Sequence, residues 1–320
     1  MISLKFRVAV ILIAGLLFTL AGYGQQKSFK VVPLGVKGGA DESNLSAYLL
    51  APAGSNKFIS LDAGTIYAGI QKAVENRIFK KDVSEILKNY IKAYLISHGH
   101  LDHLTGLIIN SPEDSPKKIY ALPFVIDVLK DKHFTWKSWA NFANEGDKPA
   151  LNKYTYSPLV PGFEISIDST DLHVRAFTLS HSSPGQSTAF LVRSQKNYIL
   201  YLGDTGADEV EGSDKLKLLW QHITPLIKNK QLKAIFIEVS FPNEQPDKQL
   251  FGHLTPKWLM KELNHLCSFT GEKALEKFPV VVTHIKPSGD NESKIKHQLN
   301  EANNLDLKFI YPRQGVLLEF

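Results

Sequence analysis

Three histidines and one aspartate fall within six positions of a segment that begins at Ser97 and reads SHGHLDHLTG. In a turn between a strand and a helix, His98 and His100 can point to one side while Asp102 and His103 converge from the next turn. Imidazole and carboxylate groups are the ligands that zinc and other first-row divalent ions take in proteins. A helix start that merely exposes these side chains would explain their density poorly. The segment therefore predicts a metal site.

The same residues carry a resemblance to a known family. The pattern His98-Gly99-His100-Leu101-Asp102-His103 resembles the HxHxDH motif of the metallo-β-lactamase superfamily, and the longer segment His98–Pro112 is similar to the signature of class II cyclic-nucleotide phosphodiesterases. Further similar segments are Leu61–Gly64 (LDAG), Ser180–Ser182 (SHS), Gly203–Gly206 (GDTG), Phe251–Pro256 (FGHLTP) and Thr283-His284. Their order is coherent from about Val31 to the last residue.

This resemblance implies a site for two divalent cations. Zinc is the expected metal, with manganese and iron left open. One cation would be held by His98, His100 and His181, the second by Asp102, His103 and His284, and Asp204 would bridge the two. His181, Asp204 and His284 each follow a predicted strand, and ligands at the ends of neighbouring strands converge on one sheet edge. Alone, each would be a hydrogen-bonded core or rim residue, but jointly the seven favour a dinuclear site.

Other residues near these motifs are candidates for catalytic or supporting roles. His253 is assigned with Asp102 to the catalytic residues, although a structural role at a helix start stays open for it. Asp62 is expected to orient a ligand histidine or a metal-bound water by hydrogen bonding, and Glu238 is a further candidate for such support. The remaining histidines have no ligand-like neighbours and are predicted to be surface or core residues: His133, His173, His222, His265 and His297.

The resemblance further implies hydrolysis of 3',5'-cyclic nucleotides, cAMP first and cGMP left open, to nucleoside 5'-monophosphates. A hydroxide bridged between two cations would attack phosphorus in line with the leaving 3' oxygen, without a covalent intermediate. The alternatives are another hydrolase of the superfamily (a lactonase, thioesterase, β-lactamase or RNA-processing nuclease) or a binding protein that has lost the chemistry. Asp102 together with Asp204 suits a phosphodiester better than a β-lactam, and no ligand position is eroded.

These ligands need a scaffold of sheets. Strands are predicted at Ser46–Ala53, Phe58–Leu61, Ala93–Ser97, Leu172–Leu179, Thr188–Ser194, Tyr198–Tyr201, Ala234–Val239 and Val280–Thr283, and helices at Ile66–Ile78 and Val83–Tyr90. Strands mixed with helices, with polar residues at strand ends, indicate sheets covered by helices. The resemblance implies an α/β (α+β) four-layer αββα sandwich of the metallo-β-lactamase type. The stretch His133–Ser169, with Trp136–Phe142 and Tyr154–Tyr156 as candidates for stacking on the base, is interpreted as an aromatic-lined lid rather than an insertion packed on its own side chains.

The composition and the first residues indicate the domain number, the location and the partners of the protein. Lys5, Arg7 and the apolar run Val8–Ala21 predict a signal peptide over residues 1–24 with cleavage near Gly24, because about 14 apolar residues are too few to span a bilayer. We therefore expect one domain over residues 25–320, in the periplasm or outside the cell, with no retained anchor. The net charge of +5 falls to +3 without Lys5 and Arg7, which gives no indication of a nucleic-acid polymer as partner. The chain has a single cysteine, Cys267, which excludes an intrachain disulfide. The oligomeric state is left open, with a homodimer as one alternative.

Overall fold

Two seven-stranded sheets form the centre of the protein in the computed structural model, which describes residues 27–320. The predicted signal peptide lies outside these residues. The first sheet contains β1 (Phe29–Gly35), β2 (Ala47–Pro52), β3 (Phe58–Leu61), β4 (Ile91–Leu95), β5 (Lys117–Ala121), β6 (Tyr154–Pro158) and, from the end of the chain, β14 (Leu318–Glu319). The second contains β7 (Glu164–Ser166), β8 (His173–Ser180), β9 (Gln186–Ser194), β10 (Asn197–Leu202), β11 (Leu232–Glu238), β12 (Pro279–Thr283) and β13 (Lys308–Ile310).

Strand direction decides where the polar loops collect. The first sheet has the order β14-β1-β2-β3-β4-β5-β6, and its strands β3 to β6 are parallel. The second has the order β13-β12-β11-β10-β9-β8-β7, and β10 to β13 are parallel. Because β8 and β10 are both antiparallel to β9, they also run the same way. The carboxyl ends of β8, β10, β11 and β12 therefore lie along one edge of the second sheet.

Helices cover the outer face of each sheet. They are α1 (Tyr67–Glu75), α2 (Val83–Glu85, continued by a π-helical turn at Ile86–Tyr90), α3 (Leu101–Asn110), α4 (Pro123–Val128, continued by a π-helical turn at Leu129–His133), α5 (Asp208–Glu211), α6 (Lys215–Lys228), α7 (Pro256–Thr270), α8 (Glu272–Leu275) and α9 (Asn291–Glu301). Residues of α1 to α4 share a core with the first sheet, and residues of α6 to α9 share one with the second. Within residues 27–320, no helix combines the length and apolarity needed to cross a bilayer.

The two sheets face each other across a third apolar core. The ring of Tyr48 on β2 packs against those of Tyr201 on β10 and Phe236 on β11, with centroids 5.7 and 5.8 Å apart. All three side chains are buried, so the aromatic cluster joins the first sheet to the second. The layers run helices, sheet, sheet, helices, and the predicted four-layer αββα sandwich is confirmed.

The interpretation of residues 133–169 as a lid is wrong for its tyrosines. Tyr154 and Tyr156 alternate inward along β6 and are buried, because this segment extends the first sheet. Trp139 donates its indole N–H to Ser111 Oγ at 3.0 Å. The buried Asn141 amide donates to two backbone carbonyls of its own loop. The stretch is a sheet edge with an insertion that packs against the core between the first sheet and its helices.

Candidate metal centre

The first group of candidate ligands lies where the chain passes from β4 into α3. The strand ends at Leu95, two residues earlier than predicted, and the chain continues without regular secondary structure to His100. His100 is the residue before the first helical turn, with φ −72° and ψ 147°, and Asp102 and His103 lie in that turn. A carboxylate is favoured at this end of a helix because the unpaired N–H groups there carry partial positive charge.

The other candidate ligands come from the second sheet. His181 directly follows β8, Asp204 comes two residues after β10, and His284 directly follows β12. These strands run in the same direction, so the three side chains reach one edge, as the sequence predicted. His284 has φ 56°, in the left-handed region. Such a conformation costs energy in a residue with a side chain and is typical of functional sites.

The structure brings all seven predicted ligands together. One ligand atom from each of His98, His100, His181 and Asp204 lies within 4.8 Å of the others, and the same holds for the group Asp102, His103 and His284. His181 Nε2 is 3.3 Å from His100 Nδ1, and His284 Nε2 is 3.1 Å from Asp102 Oδ2. The two groups contain the residues of the two predicted cation sites, and a third group of Asp204, His253 and His284 overlaps them.

Asp204 lies between the two groups. Its Oδ2 is 3.7 Å from His98 Nε2 and 3.9 Å from His181 Nε2 in the first group. In the second group, its Oδ1 is 3.3 Å from His103 Nε2 and its Oδ2 is 3.2 Å from His284 Nε2. A single buried carboxylate thus faces both sets of imidazoles, which is the position a bridging ligand needs.

A buried carboxylate, Asp62, orients two of these imidazoles. Its Oδ2 accepts hydrogen bonds from His103 Nδ1 at 2.8 Å, from Tyr201 Oη at 2.7 Å and from Ser97 Oγ at 2.8 Å, and its Oδ1 accepts from the Ser97 amide at 2.7 Å. The Ser97 hydroxyl also lies 3.0 Å from His98 Nδ1. Since that hydroxyl donates to Asp62, it accepts from His98. Both rings therefore carry their proton on Nδ1 and keep Nε2 free to bind a metal.

Glu238, at the end of β11 in the second sheet, also orients two imidazoles, those of His253 and His284. It is fully buried, and its Oε1 accepts from His253 Nδ1 at 2.7 Å and from the Thr205 amide at 3.0 Å. Its Oε2 accepts from Ser240 Oγ at 2.6 Å, and that hydroxyl lies 2.9 Å from His284 Nδ1. The predicted supporting position of Glu238 is therefore seen, and His253 is part of the same network.

Two glycines allow this close packing. A Cβ on Gly38 would lie 2.3 Å from His284 Nδ1. A Cβ on Gly252 would lie 2.7 Å from His181 Nδ1, and the Gly252 carbonyl accepts a hydrogen bond from that nitrogen at 2.8 Å. The backbone itself thus holds His181 with its Nε2 turned away from Gly252.

Charges within the cluster depend on one another. Burial and the neighbouring His103 hold the pKa of His98 well below its ordinary value, so that this ring is neutral. Burial opposes ionisation of Asp204, but the charges of His103 and His284 outweigh it and hold the pKa of Asp204 well below its ordinary value. Burial also lowers the pKa of His103, yet Asp204 and Asp62 outweigh it and raise that pKa well above its ordinary value. The two carboxylates thus favour positive charge at His103, which a divalent cation at Nε2 would supply in place of a second ring proton.

The donor set fits divalent cations. His98 Nε2 and His103 Nε2 are buried and have no hydrogen-bond partner, although buried polar atoms in proteins nearly always have one. Both nitrogens face the carboxylate of Asp204. Imidazole nitrogens with carboxylates suit zinc and other first-row divalent ions, and a cation would satisfy both orphaned nitrogens.

Sequence reasoning missed several supporting residues. Ser240, Tyr201 and Gly38 are remote in sequence from the groups they contact, and no local pattern marks them. The one usable signal was Gly252, inside the segment FGHLTP. None of the five histidines predicted to be surface or core residues belongs to the clusters found among residues 27–320. His265 and His297, for example, are exposed.

Comparisons with known proteins agree with this geometry. The family model described as "cAMP phosphodiesterases class-II" matches residues 28–315. A 3',5'-cyclic-nucleotide phosphodiesterase of Aliivibrio fischeri is 43% identical over 311 residues, which cover 92% of this chain and 94% of that protein. A probable 3',5'-cyclic-nucleotide phosphodiesterase of Yersinia pestis is 38% identical, covering 93% of this chain and 91% of that protein.

Solved structures give the same picture. The unliganded yeast PDE1 structure superposes with a TM-score of 0.82 at 25% identity and covers 92% of this chain and 100% of that one. The metallo-β-lactamase fold protein YhfI from Bacillus subtilis superposes with a TM-score of 0.61 at 15% identity and covers 92% of this chain and 100% of that one. The second likeness concerns the fold alone, and it identifies the sandwich as the metallo-β-lactamase fold.

Proposed function

The chain belongs to the class II cAMP phosphodiesterases, and from this premise we propose that it hydrolyses cAMP and cGMP with two divalent cations held at the edge of its two sheets. Cyclic-nucleotide phosphodiesterase activity follows from the family and from relatives so named over nearly their whole length. The number of cations, their identity as zinc, the roles of single residues and the place of the enzyme in the cell are our proposals.

Seven side chains would hold the cations. His98, His100 and His181 would hold one, Asp102, His103 and His284 the other, and Asp204 would bridge them. Zinc is the proposed metal because five of the seven ligands are imidazoles. When bound, two such cations neutralise charge on the phosphoryl oxygens and lower the pKa of water. The observation that carries the proposal is the position of Asp204, within 3.9 Å of imidazole nitrogens from both groups.

His253 is proposed to hold the proton that the leaving 3' oxygen takes. Its Nδ1 is occupied by Glu238 at 2.7 Å, so Nε2 is the atom left for the substrate. Burial lowers the pKa of His253, but the charge and hydrogen bond of Glu238 outweigh it and raise that pKa. An imidazole with a raised pKa is suited to act as a general acid.

The test of this proposal uses the metal-loaded enzyme without its predicted leader. Turnover of cAMP, cGMP, bis(p-nitrophenyl) phosphate and a β-lactam is compared, with metal content measured by mass spectrometry. We expect nucleoside 5'-monophosphates from the cyclic nucleotides and two cations per chain. Hydrolysis of the β-lactam with no turnover of either cyclic nucleotide would contradict the proposal.

Variants test the residue roles separately. Asp102→Ala should remove one cation per chain and most of the activity, whereas Asp171→Ala, an exposed aspartate outside the centre, should change neither. A fully active Asp102→Ala enzyme with two cations would refute the ligand assignment. His253→Gln should slow cAMP hydrolysis by about 100-fold or more but spare bis(p-nitrophenyl) phosphate, because nitrophenolate leaves without a proton.

An exported enzyme is proposed from the sequence of the first 24 residues. The apolar run Val8–Ala21 after Lys5 and Arg7 has the layout of a cleaved secretory signal. The mature enzyme would then act on extracellular or periplasmic nucleotide. Intact mass and N-terminal sequencing of the exported protein test this, with a start near Gln25 expected and a start at Met1 contradicting it.

A further inference from the structure

A cavity of about 360 Å³ opens directly beside the first group of metal ligands. His98, His100 and His181 form part of its lining. The remaining lining includes Phe124 and Val128 from α4 and the segment Pro184–Gln186, where the β8–β9 loop enters β9. Its volume lies within the range of about 300–1,000 Å³ that is usual for small-molecule pockets. A phosphodiester bound at the cations would therefore have room for its nucleoside next to it.

One wall of this cavity is apolar and fixed. Phe124 and Val128 are four residues apart on α4, a spacing that places both on one face of a helix. Phe124 is half-buried and packs against two of the three apolar cores. Val128 lies close to the metal-binding turn, because a Cβ on Gly99 would come within 2.7 Å of its Cγ1. An aromatic ring held in this way offers a surface for a flat heterocycle.

One polar side chain in the lining has a free amide. Gln186 is exposed, and within residues 27–320 its side chain has no hydrogen-bond partner. A primary amide both donates and accepts, and it can pair with two adjacent atoms on the edge of a base. Adenine offers an amino donor beside a ring-nitrogen acceptor. Guanine offers a carbonyl acceptor beside an N–H donor, so rotation of the amide by half a turn suits either purine.

We propose that this cavity receives the purine base of the cyclic nucleotide and that Gln186 pairs with the polar edge of the base. The inference deepens the proposed function and rests on it. It places the base in this cavity rather than against Tyr154 and Tyr156, which are buried in β6. A rotatable amide predicts that the enzyme accepts both cAMP and cGMP.

The decisive variant is Gln186→Glu, which keeps the size of the side chain and removes its donor. A carboxylate can accept from only one atom of the adenine edge and faces the lone pair of the adjacent ring nitrogen. The same carboxylate can accept from two adjacent N–H groups of guanine. The ratio of kcat/KM for cAMP to that for cGMP should therefore fall by about tenfold to one hundredfold, which is the discrimination a bidentate pair gives.

Two controls separate base recognition from damage to the site. Gln221→Glu, on the exposed side of α6 and outside the cavity, should leave the ratio unchanged. Phe124→Leu should raise KM for both nucleotides and leave their ratio within about twofold, because stacking is nearly independent of the base. Metal content should equal that of the wild type in all three variants.

A binding measurement provides a readout other than turnover. Calorimetric titration of the metal-loaded enzyme with 5'-AMP and 5'-GMP should show the same shift in relative affinity for Gln186→Glu. An unchanged ratio in this variant, both in turnover and in product affinity, would overturn the inference while leaving the phosphodiesterase intact. A wild-type enzyme that hydrolyses neither cyclic nucleotide would overturn the proposed function itself.

Discussion

Asp62→Asn is the substitution that most directly tests how the metal centre is oriented. Asn has the same shape, and its carbonyl oxygen must remain opposite the Ser97 amide, which lies 2.7 Å from Asp62 Oδ1. The new NH₂ group then replaces Oδ2, which accepts from His103 Nδ1, Ser97 Oγ and Tyr201 Oη. The two hydroxyl groups can rotate and accept instead. An imidazole N–H cannot rotate away, so His103 must move its proton to Nε2.

That shift of the proton has a direct consequence for metal binding. His103 Nε2 lies 3.3 Å from Asp204 Oδ1 inside the ligand cluster, and with a proton there it cannot bind a cation. Loss of such a supporting partner typically costs a factor of about 10–100 in metal affinity, which corresponds to about 1.4–2.7 kcal/mol. We expect this loss for the site of Asp102, His103 and His284 and a smaller change for the other.

The assay is a competition titration with a chromogenic zinc chelator at pH 7.5, with thermal unfolding of the metal-free protein measured in parallel. Tyr201→Phe is the matched control, because it removes one donor to the same carboxylate oxygen without changing the tautomer of His103. It should lower the free energy of unfolding by about 1 kcal/mol and leave metal affinity unchanged. If Asp62→Asn bound both zinc equivalents as tightly as the wild type, the tautomer argument would be wrong.

Two further predictions concern backbone space and acid stability. Gly252→Ala should weaken metal binding by more than tenfold in chelator competition, because the added Cβ would lie 2.7 Å from His181 Nδ1. The control is Gly271→Ala, which is also at positive φ but has no neighbour within 4 Å of its added Cβ. This control should lower only the free energy of unfolding. Hydrogen bonding by Arg193 lowers the pKa of Glu164, so this pair stabilises the fold above the ordinary pKa of a glutamate and ceases to do so as pH falls through the lowered value. Glu164→Gln should therefore lose about 0.5–1 kcal/mol in urea unfolding at pH 7 and progressively less as the pH is lowered through the acidic range, and a loss that does not change with pH would contradict the assignment.

Local sequence patterns predicted the strands and ligands that depend on local order. Phe58–Leu61 was predicted to the residue, and β8, β10 and β12 were placed within one residue at each end. In each case an apolar run ends in a polar residue that the centre uses. The first sheet was harder, since β5 and β6 contain Lys and Tyr residues and do not form uniformly apolar runs.

Residues that act only across the sandwich could not be predicted from local patterns. Tyr201 reaches Asp62 from the opposite sheet, and the two are 139 positions apart in the chain. Ser240 supports His284 over 44 positions. The assignment of Tyr154 and Tyr156 to a lid was wrong for a related reason, because both alternate toward the core as β6 pairs with β5. Composition shows that aromatic residues are present but not which face of a strand they occupy.

Asp62, at the end of β3 in the first sheet, and Glu238, at the end of β11 in the second, have the same role. Each orients one imidazole directly and a second through a serine hydroxyl. With Asp102 and Asp204 they bring four carboxylates to the centre, which balance the four positive charges of the two proposed cations. The hydroxide of the proposed mechanism and an incoming cyclic phosphodiester would add two negative charges beyond that balance. A proton held by His253 against Glu238 would offset one of these charges, so that in the proposed mechanism one imidazole would both favour the anionic substrate and supply the proton to its leaving oxygen.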